Sequence, residues 1–220
     1  MKISWFKRFL SYFFVINIKK IKSDFNPGLC LQIEAGKVVL NTKNANYSFG
    51  NLHKVFEETF IKIKLKNFEI DNVLLLGLGT GSVIEIFKKN YNISPYITAI
   101  EIDPAIVELI KKLYNFNLAK TEILCGDAFE LIKKINRKFD LIVVDLFIDI
   151  EMPKKVYSSD FLKNLKNLLD NKGVAVINCI VNSKNKIKDF SEFKVALSRY
   201  FNKIYIHEIL EINRVVEVRN

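Results

Sequence analysis

The spacing of apolar residues changes part-way along this chain. Between about residues 14 and 46 they fall in short runs, "VINIKKIKS", "LCLQIEA" and "KVVLNT", the two-residue alternation of strands with one covered face. "FNPG" separates the first two and "EAGK" is a tight-turn signal between the second and third, so the segment predicts a small antiparallel meander. In the stretch that follows, Leu52, Val55, Phe56, Thr59 and Phe60 recur at helical spacing and predict an amphipathic helix.

From about residue 70 the pattern becomes one of uninterrupted apolar runs. "NVLLLG", "YITAIE", "TEILCG", "FDLIVVD" and "GVAVINCIV" read as strands covered on both faces. Helical spacing fills the intervals, in "TGSVIEIFKKN", "DPAIVELIKKLYN", "DAFELIKKIN" and "YSSDFLKNLKNLLDNKG". Asp103 and Pro104 supply a cap and a first-turn signal, and Lys172-Gly173 reads as a helix end. Such alternation predicts an α/β fold with a parallel sheet and crossover helices. A helix over about 187–200 precedes two more strands, "KIYIHEIL" and "RVVEVR". The "EIN" between them is too short for a crossover, so they are expected to pair antiparallel. The expected division is residues 1–50 for an N-terminal segment and meander, and 51–220 for the α/β domain.

Composition narrows the function classes. The 220 residues are 50% apolar and 26% charged, which suits a packed domain and argues against disorder. The net charge of +10 raises nucleic acid as a partner, but the lysines are scattered over the polar faces of every segment. No aromatic-rich basic motif supports that partner. Cys30, Cys125 and Cys179 are far apart in apolar runs, with no CxxC or Cys/His pairing. They read as buried reduced thiols of a cytoplasmic protein, and no metal is expected. The N-terminal "FLSYFFVIN" is shorter than the ~20 residues a spanning helix needs, and no small-residue cleavage site follows it. A short element packing its aromatic side on the domain is the first expectation. The other is peripheral membrane contact through Trp5, Phe6 and Phe9 beside Lys2, Lys7 and Arg8.

The candidate chemistry lies at the strand ends. "LLLGLGTGS" puts Gly77, Gly79 and Gly81 at a strand-to-helix turn, where glycine lets a ligand approach the backbone. Glu101 ends the next strand, 24 residues after Gly77, about where an acid grips a ribose. Asp127 opens the helix after the third strand, and Asp145 ends the fourth, with Asp149 four residues on. A dinucleotide fingerprint would want glycine where Ser82 stands. Asp103 reads as a helix cap, and His207 as structural. His53 and Tyr47 fall in a stretch that would cover the site.

These segments resemble class I S-adenosylmethionine-dependent methyltransferases, and within them the spermidine synthase-like group. "VLLLGLGTGSVIEIF" is similar to that group's glycine loop and "AIEIDPAIVELIKKLY" to its ribose-acid segment. "GDAFELI" is similar to its adenine segment and "FDLIVVD" to its catalytic-acid strand. The resemblance implies a Rossmann-like, seven-stranded class I methyltransferase sheet with a terminal antiparallel hairpin. It also implies S-adenosylmethionine, or its decarboxylated form, as cofactor. Glu101 would bind the ribose and Asp127, with Ala128, the adenine; Gly77, Gly79, Thr80 and Gly81 would hold the sulfonium-bearing chain. Asp145 would face both cofactor and acceptor as the base, with Asp149 beside it. A homodimer is compatible with the resemblance.

Departures from the group bear on the acceptor. Spermidine synthases carry an acid in the glycine loop where this chain has Thr80, and a Ser-Ser pair after the fourth strand where it has Leu146 and Phe147. Their second acid follows at a spacing of three, against four here, and only Pro153 matches the later proline. The apolar pair and the missing loop acid favour methyl transfer from S-adenosylmethionine to an unknown acceptor. Aminopropyl transfer to an amine, with Asp149 and Glu151 as further acids, is the alternative. A non-catalytic cofactor-binding module is the third reading.

Overall fold

The computed structural model describes residues 4–41, 51–113, 120–147 and 151–220. Asp149 and Tyr47 lie outside the described residues, as does the side chain of Leu52. A short helix α1 (Trp5–Leu10) leads into strands β1 (Ile16–Lys20), β2 (Cys30–Glu34) and β3 (Lys37–Asn41). These form the expected antiparallel meander in the order β1-β2-β3. Helix α2 (Asn51–Lys62) buries Val55, Phe56, Thr59 and Phe60, and Phe60 stacks on Phe87 at 5.6 Å.

The main sheet alternates strand and helix: β4 (Asn72–Leu76), α3 (Ser82–Ile86), β5 (Tyr96–Glu101), α4 (Pro104–Leu113), β6 (Thr121–Cys125), α5 (Ala128–Leu131), β7 (Phe139–Val144), α6 (Ser159–Leu168), β8 (Leu169–Ile180) and α7 (Lys184–Leu197). A final hairpin follows, β9 (Lys203–Ile209) and β10 (Asn213–Arg219). The order across the sheet is β6-β5-β4-β7-β8-β10-β9. The first five strands pair parallel, and β10 pairs antiparallel with both β8 and β9.

Strand periodicity divides the core. Val73, Leu75, Leu141, Val143, Val174 and Val176 face one side with α2, α4 and Leu31 and Leu40 of the meander. Leu74, Leu76, Ile142, Val144, Ala175 and Ile177 face the other with α6 and α7. Every central strand is thus covered on both faces, which is why its sequence shows no alternation. Each such buried Val, Leu or Ile side chain contributes ~1.5–3 kcal/mol relative to exposure.

Three local expectations need correction. The helix expected to run to Lys172-Gly173 ends at Leu168, and β8 begins at once. Pairing shifts from Phe139–Leu169 to Leu141–Val174, so residues 170–173 bulge out of the ladder. Gly173 serves that bulge, since a Cβ there would lie 2.9 Å from the Phe139 carbonyl oxygen. Helix α7 starts at Lys184 because the Ser183 hydroxyl accepts the Lys186 N–H. Of the cysteines only Cys179 is buried; Cys30 is half-buried and Cys125 exposed.

Candidate active site

Four strand ends lie side by side, and backbone hydrogen bonds continue the sheet one residue beyond them. The Asp145 N–H donates to the Leu76 carbonyl at 2.8 Å, Gly77 to Ile100 at 2.9 Å and Gly126 to Glu101 at 2.9 Å. Asp145, Gly77, Glu101 and Asp127 therefore form a row along the carboxyl crest of β7, β4, β5 and β6. The crevice between β4 and β7 is the switch point, where successive crossovers leave in opposite directions.

Gly77 lets this row close. Its φ is +90°, and a Cβ would stand 2.3 Å from the Asp145 carbonyl oxygen, so any side chain would force the two strand ends apart. Gly79 and Gly81 continue the turn, also at positive φ. Thr80 and Ser82 are buried, and among the described residues their hydroxyls have no hydrogen-bond partner. Two orphaned hydroxyls beside a turn that holds its backbone open suit a ligand with polar groups of its own.

Glu101 is buried, and its Oε2 accepts the N–H groups of Leu78 at 3.1 Å and Gly79 at 3.2 Å. Its Oε1 accepts the Asp103 N–H at 3.1 Å. Burial raises the carboxyl pKa, opposed by those three donors, and the nearby Asp103 charge adds to the rise. The carboxyl thus fixes the glycine turn through its own hydrogen bonds.

Asp103 does more than the cap it was expected to be. Its Oδ1 accepts the Ala105 N–H at 2.9 Å. Its Oδ2 accepts the Ser23 hydroxyl at 2.5 Å and the Asn26 amide at 2.6 Å, fastening the β1–β2 connection to the crest. Asp127 caps α5 by accepting the Phe129 N–H at 2.8 Å, and Lys155 stands 3.7 Å from its other oxygen. Ala128 is buried directly behind it.

Asp145 is partly accessible, and its Oδ1 accepts the Asn178 amide at 2.9 Å. Loss of hydration pushes its carboxyl up to about 6; the Asn178 bond lowers it, and the Glu101 charge adds to the rise. The Asn178 carbonyl in turn accepts the Asn213 amide at 2.9 Å, and both amides are buried. Sequence reasoning missed this pair. The available signal was a lone amide inside the apolar run "GVAVINCIV".

The remaining candidates fall elsewhere. Leu146 and Phe147 are half-buried and pack on the core. Glu151 pairs with Lys186 at the surface. His53 is half-buried on α2, and His207 lies 2.7 Å from the buried Glu217. Among the described residues no group of three or more His, Cys, Asp or Glu is placed to hold a metal.

Comparison with known proteins now decides the family. The spermine/spermidine synthase domain matches residues 53–210. The chain belongs to that family. A polyamine aminopropyltransferase of Vibrio vulnificus is 28% identical over 142 residues, covering 63% of this chain and 47% of the relative. Polyamine aminopropyltransferase 2 of Aquifex aeolicus is 30% identical over 164 residues, covering 64% of this chain and 32% of the relative. The chain thus spans less than half the length of these curated relatives. A spermidine synthase solved with the transition-state analogue AdoDATO aligns over 92% of this chain and 73% of its own. Its TM-score is 0.72 at 16% identity, a likeness of fold.

These matches overturn the expectation of methyl transfer. That expectation gave Thr80, Leu146 and Phe147 more weight than the surrounding segments. Leu146 and Phe147 are half-buried against the core, and the family match runs through all three positions.

Proposed function

We propose that this chain transfers an aminopropyl group from decarboxylated S-adenosylmethionine to a small amine. The family match over residues 53–210 carries the reading, and the row of acids at the crest supports it. Both reactants are cations, and Glu101 and Asp145 bring negative charge to either side of the glycine turn, where partial burial strengthens attraction.

In this reading Glu101 takes the ribose hydroxyls and Asp127 the adenine amine. The Thr80 and Ser82 hydroxyls line the path of the aminopropyl chain. Ionised Asp145 accepts a proton from the acceptor ammonium and frees its lone pair. The nitrogen attacks the carbon bonded to sulfur; the C–N bond forms as the C–S bond breaks, and the sulfur leaves as a neutral thioether on adenosine. Asp145 then releases the proton to solvent, which a carboxyl titrating at about 6 does readily at neutral pH.

The test is product analysis by mass spectrometry with decarboxylated S-adenosylmethionine and diamines of graded length. Methylthioadenosine and an aminopropylated amine should appear together, and only when both substrates are present. Absence of both products across the whole diamine series would refute the proposal.

A further inference from the structure

The N-terminal helix does not hide its aromatic side. Trp5 is 76% exposed, Phe14 72% and Phe13 66%, with Phe6 and Phe9 also more than half exposed. Elsewhere the exposed large apolar residues are spread along the chain, from Phe25 to Ile212. At about 100° per residue, Trp5, Phe6 and Phe9 share one arc of α1, and Lys7 and Arg8 occupy the rest of the circumference. Trp5 and Phe6 meet edge-on at 6.2 Å, and Phe9 and Phe13 at 5.7 Å, so the rings form one patch.

The patch is mounted firmly. The buried Ser11 at the end of α1 accepts the Ala35 N–H on its carbonyl at 2.9 Å and the Gly36 N–H on its hydroxyl at 2.8 Å. The Tyr12 ring lies against Gly36, where a side chain would clash with it. The helix is thereby held on the β2–β3 turn with its aromatic arc outward.

Charge specifies the partner. Residues 1–23 contain six lysine or arginine residues and no aspartate or glutamate. Lys19, Lys20 and Lys22 are exposed on and beyond β1, in the same segment. A second copy of this chain would bring an equally basic surface against this one. No helix among the described residues is long and apolar enough to cross a membrane, and the six residues of α1 are of a length to lie along one. Aromatic rings beside flexible cations are what a helix needs to settle between acyl chains and anionic headgroups.

We propose that α1 and the basic residues flanking it dock this protein on an anionic lipid surface. Trp5 is the only tryptophan of these 220 residues, so its emission reports on the patch alone in this chain. Titration with vesicles containing phosphatidylglycerol should shift that emission to the blue and sediment the protein with the lipid. Neutral phosphatidylcholine vesicles should do so at least tenfold less well, and added salt should reverse binding. The exposed substitutions Phe9→Ser and Phe13→Ser should abolish binding while leaving the melting temperature unchanged. Unchanged Trp5 emission with every vesicle, or equal response to neutral and anionic ones, would overturn the proposal. So would a blue shift that follows protein concentration without lipid, together with a doubled mass in solution, since that outcome assigns the patch to contact between copies.

Discussion

At the β5 end of the crest, Glu101 and Asp103 give their oxygens to backbone N–H groups and to two short side chains, Ser23 and Asn26. At the β7 end, Asp145 accepts from the amide of Asn178, itself held by Asn213. The first arrangement surrounds its carboxyls with several donors, which oppose the rise that burial causes at Glu101 and tie both to the loops around them. The second leaves a carboxyl whose ionisation is costly, which is what a proton acceptor working near neutral pH requires. In the proposed reaction one end of the row binds the donor and the other takes the proton.

The largest expected effect falls on the reacting end. Asp145→Asn should lower aminopropyl transfer by about 10²–10⁴-fold, the range for losing a positioned base. The same substitution should stabilise the fold. The folded Asp145 holds a proton between about pH 3.8 and 6 that the unfolded chain has released, so native stability falls as pH rises through that window. At pH 7.5 the variant should therefore be more stable by roughly 1–3 kcal/mol, and at pH 4 it should match the parent. Denaturant titrations at the two pH values measure this.

Next comes the binding end. Glu101→Ala should weaken the decarboxylated donor by ~1–3 kcal/mol through lost hydrogen bonds to a charged group, with a smaller change in turnover at saturation. Calorimetric titration separates the two. A smaller effect joins the ends: Asn178→Leu removes the bond that lowers the Asp145 pKa. The acid limb of the rate profile should move above its midpoint of about 6, by about one unit for a bond of that strength. The smallest is Asp103→Ala, which should cost ~1–2 kcal/mol of stability and speed proteolysis between residues 21 and 29. Donor affinity should change little.

The sequence already announced the parallel half of the sheet, because strands covered on both faces lose alternation, and the last hairpin, because "EIN" leaves no room for a crossover. It also placed Glu101, Asp127 and Asp145 at or just past the ends of three successive strands. What it concealed depends on pairing. Asn213 reaches Asn178 only because β10 runs antiparallel to β8, with Asn213 opposite Ile180 and Asn178 two residues along. Ser23 and Asn26 meet Asp103 across separations of 80 and 77 residues, which no local pattern encodes. Gly173 looked like a helix end because glycine marks both a C-terminus and a close backbone approach. Methyl transfer was favoured for a related reason: Thr80, Leu146 and Phe147 are three local differences, and the family match over residues 53–210 outweighs them.

The division of labour along the crest is tested most directly by titrating decarboxylated S-adenosylmethionine into the Asp145→Asn protein by calorimetry. Affinity within a few-fold of the parent, in a protein that releases no methylthioadenosine, is the predicted result. Loss of donor binding in that variant, with affinity intact in Glu101→Ala, would contradict the account.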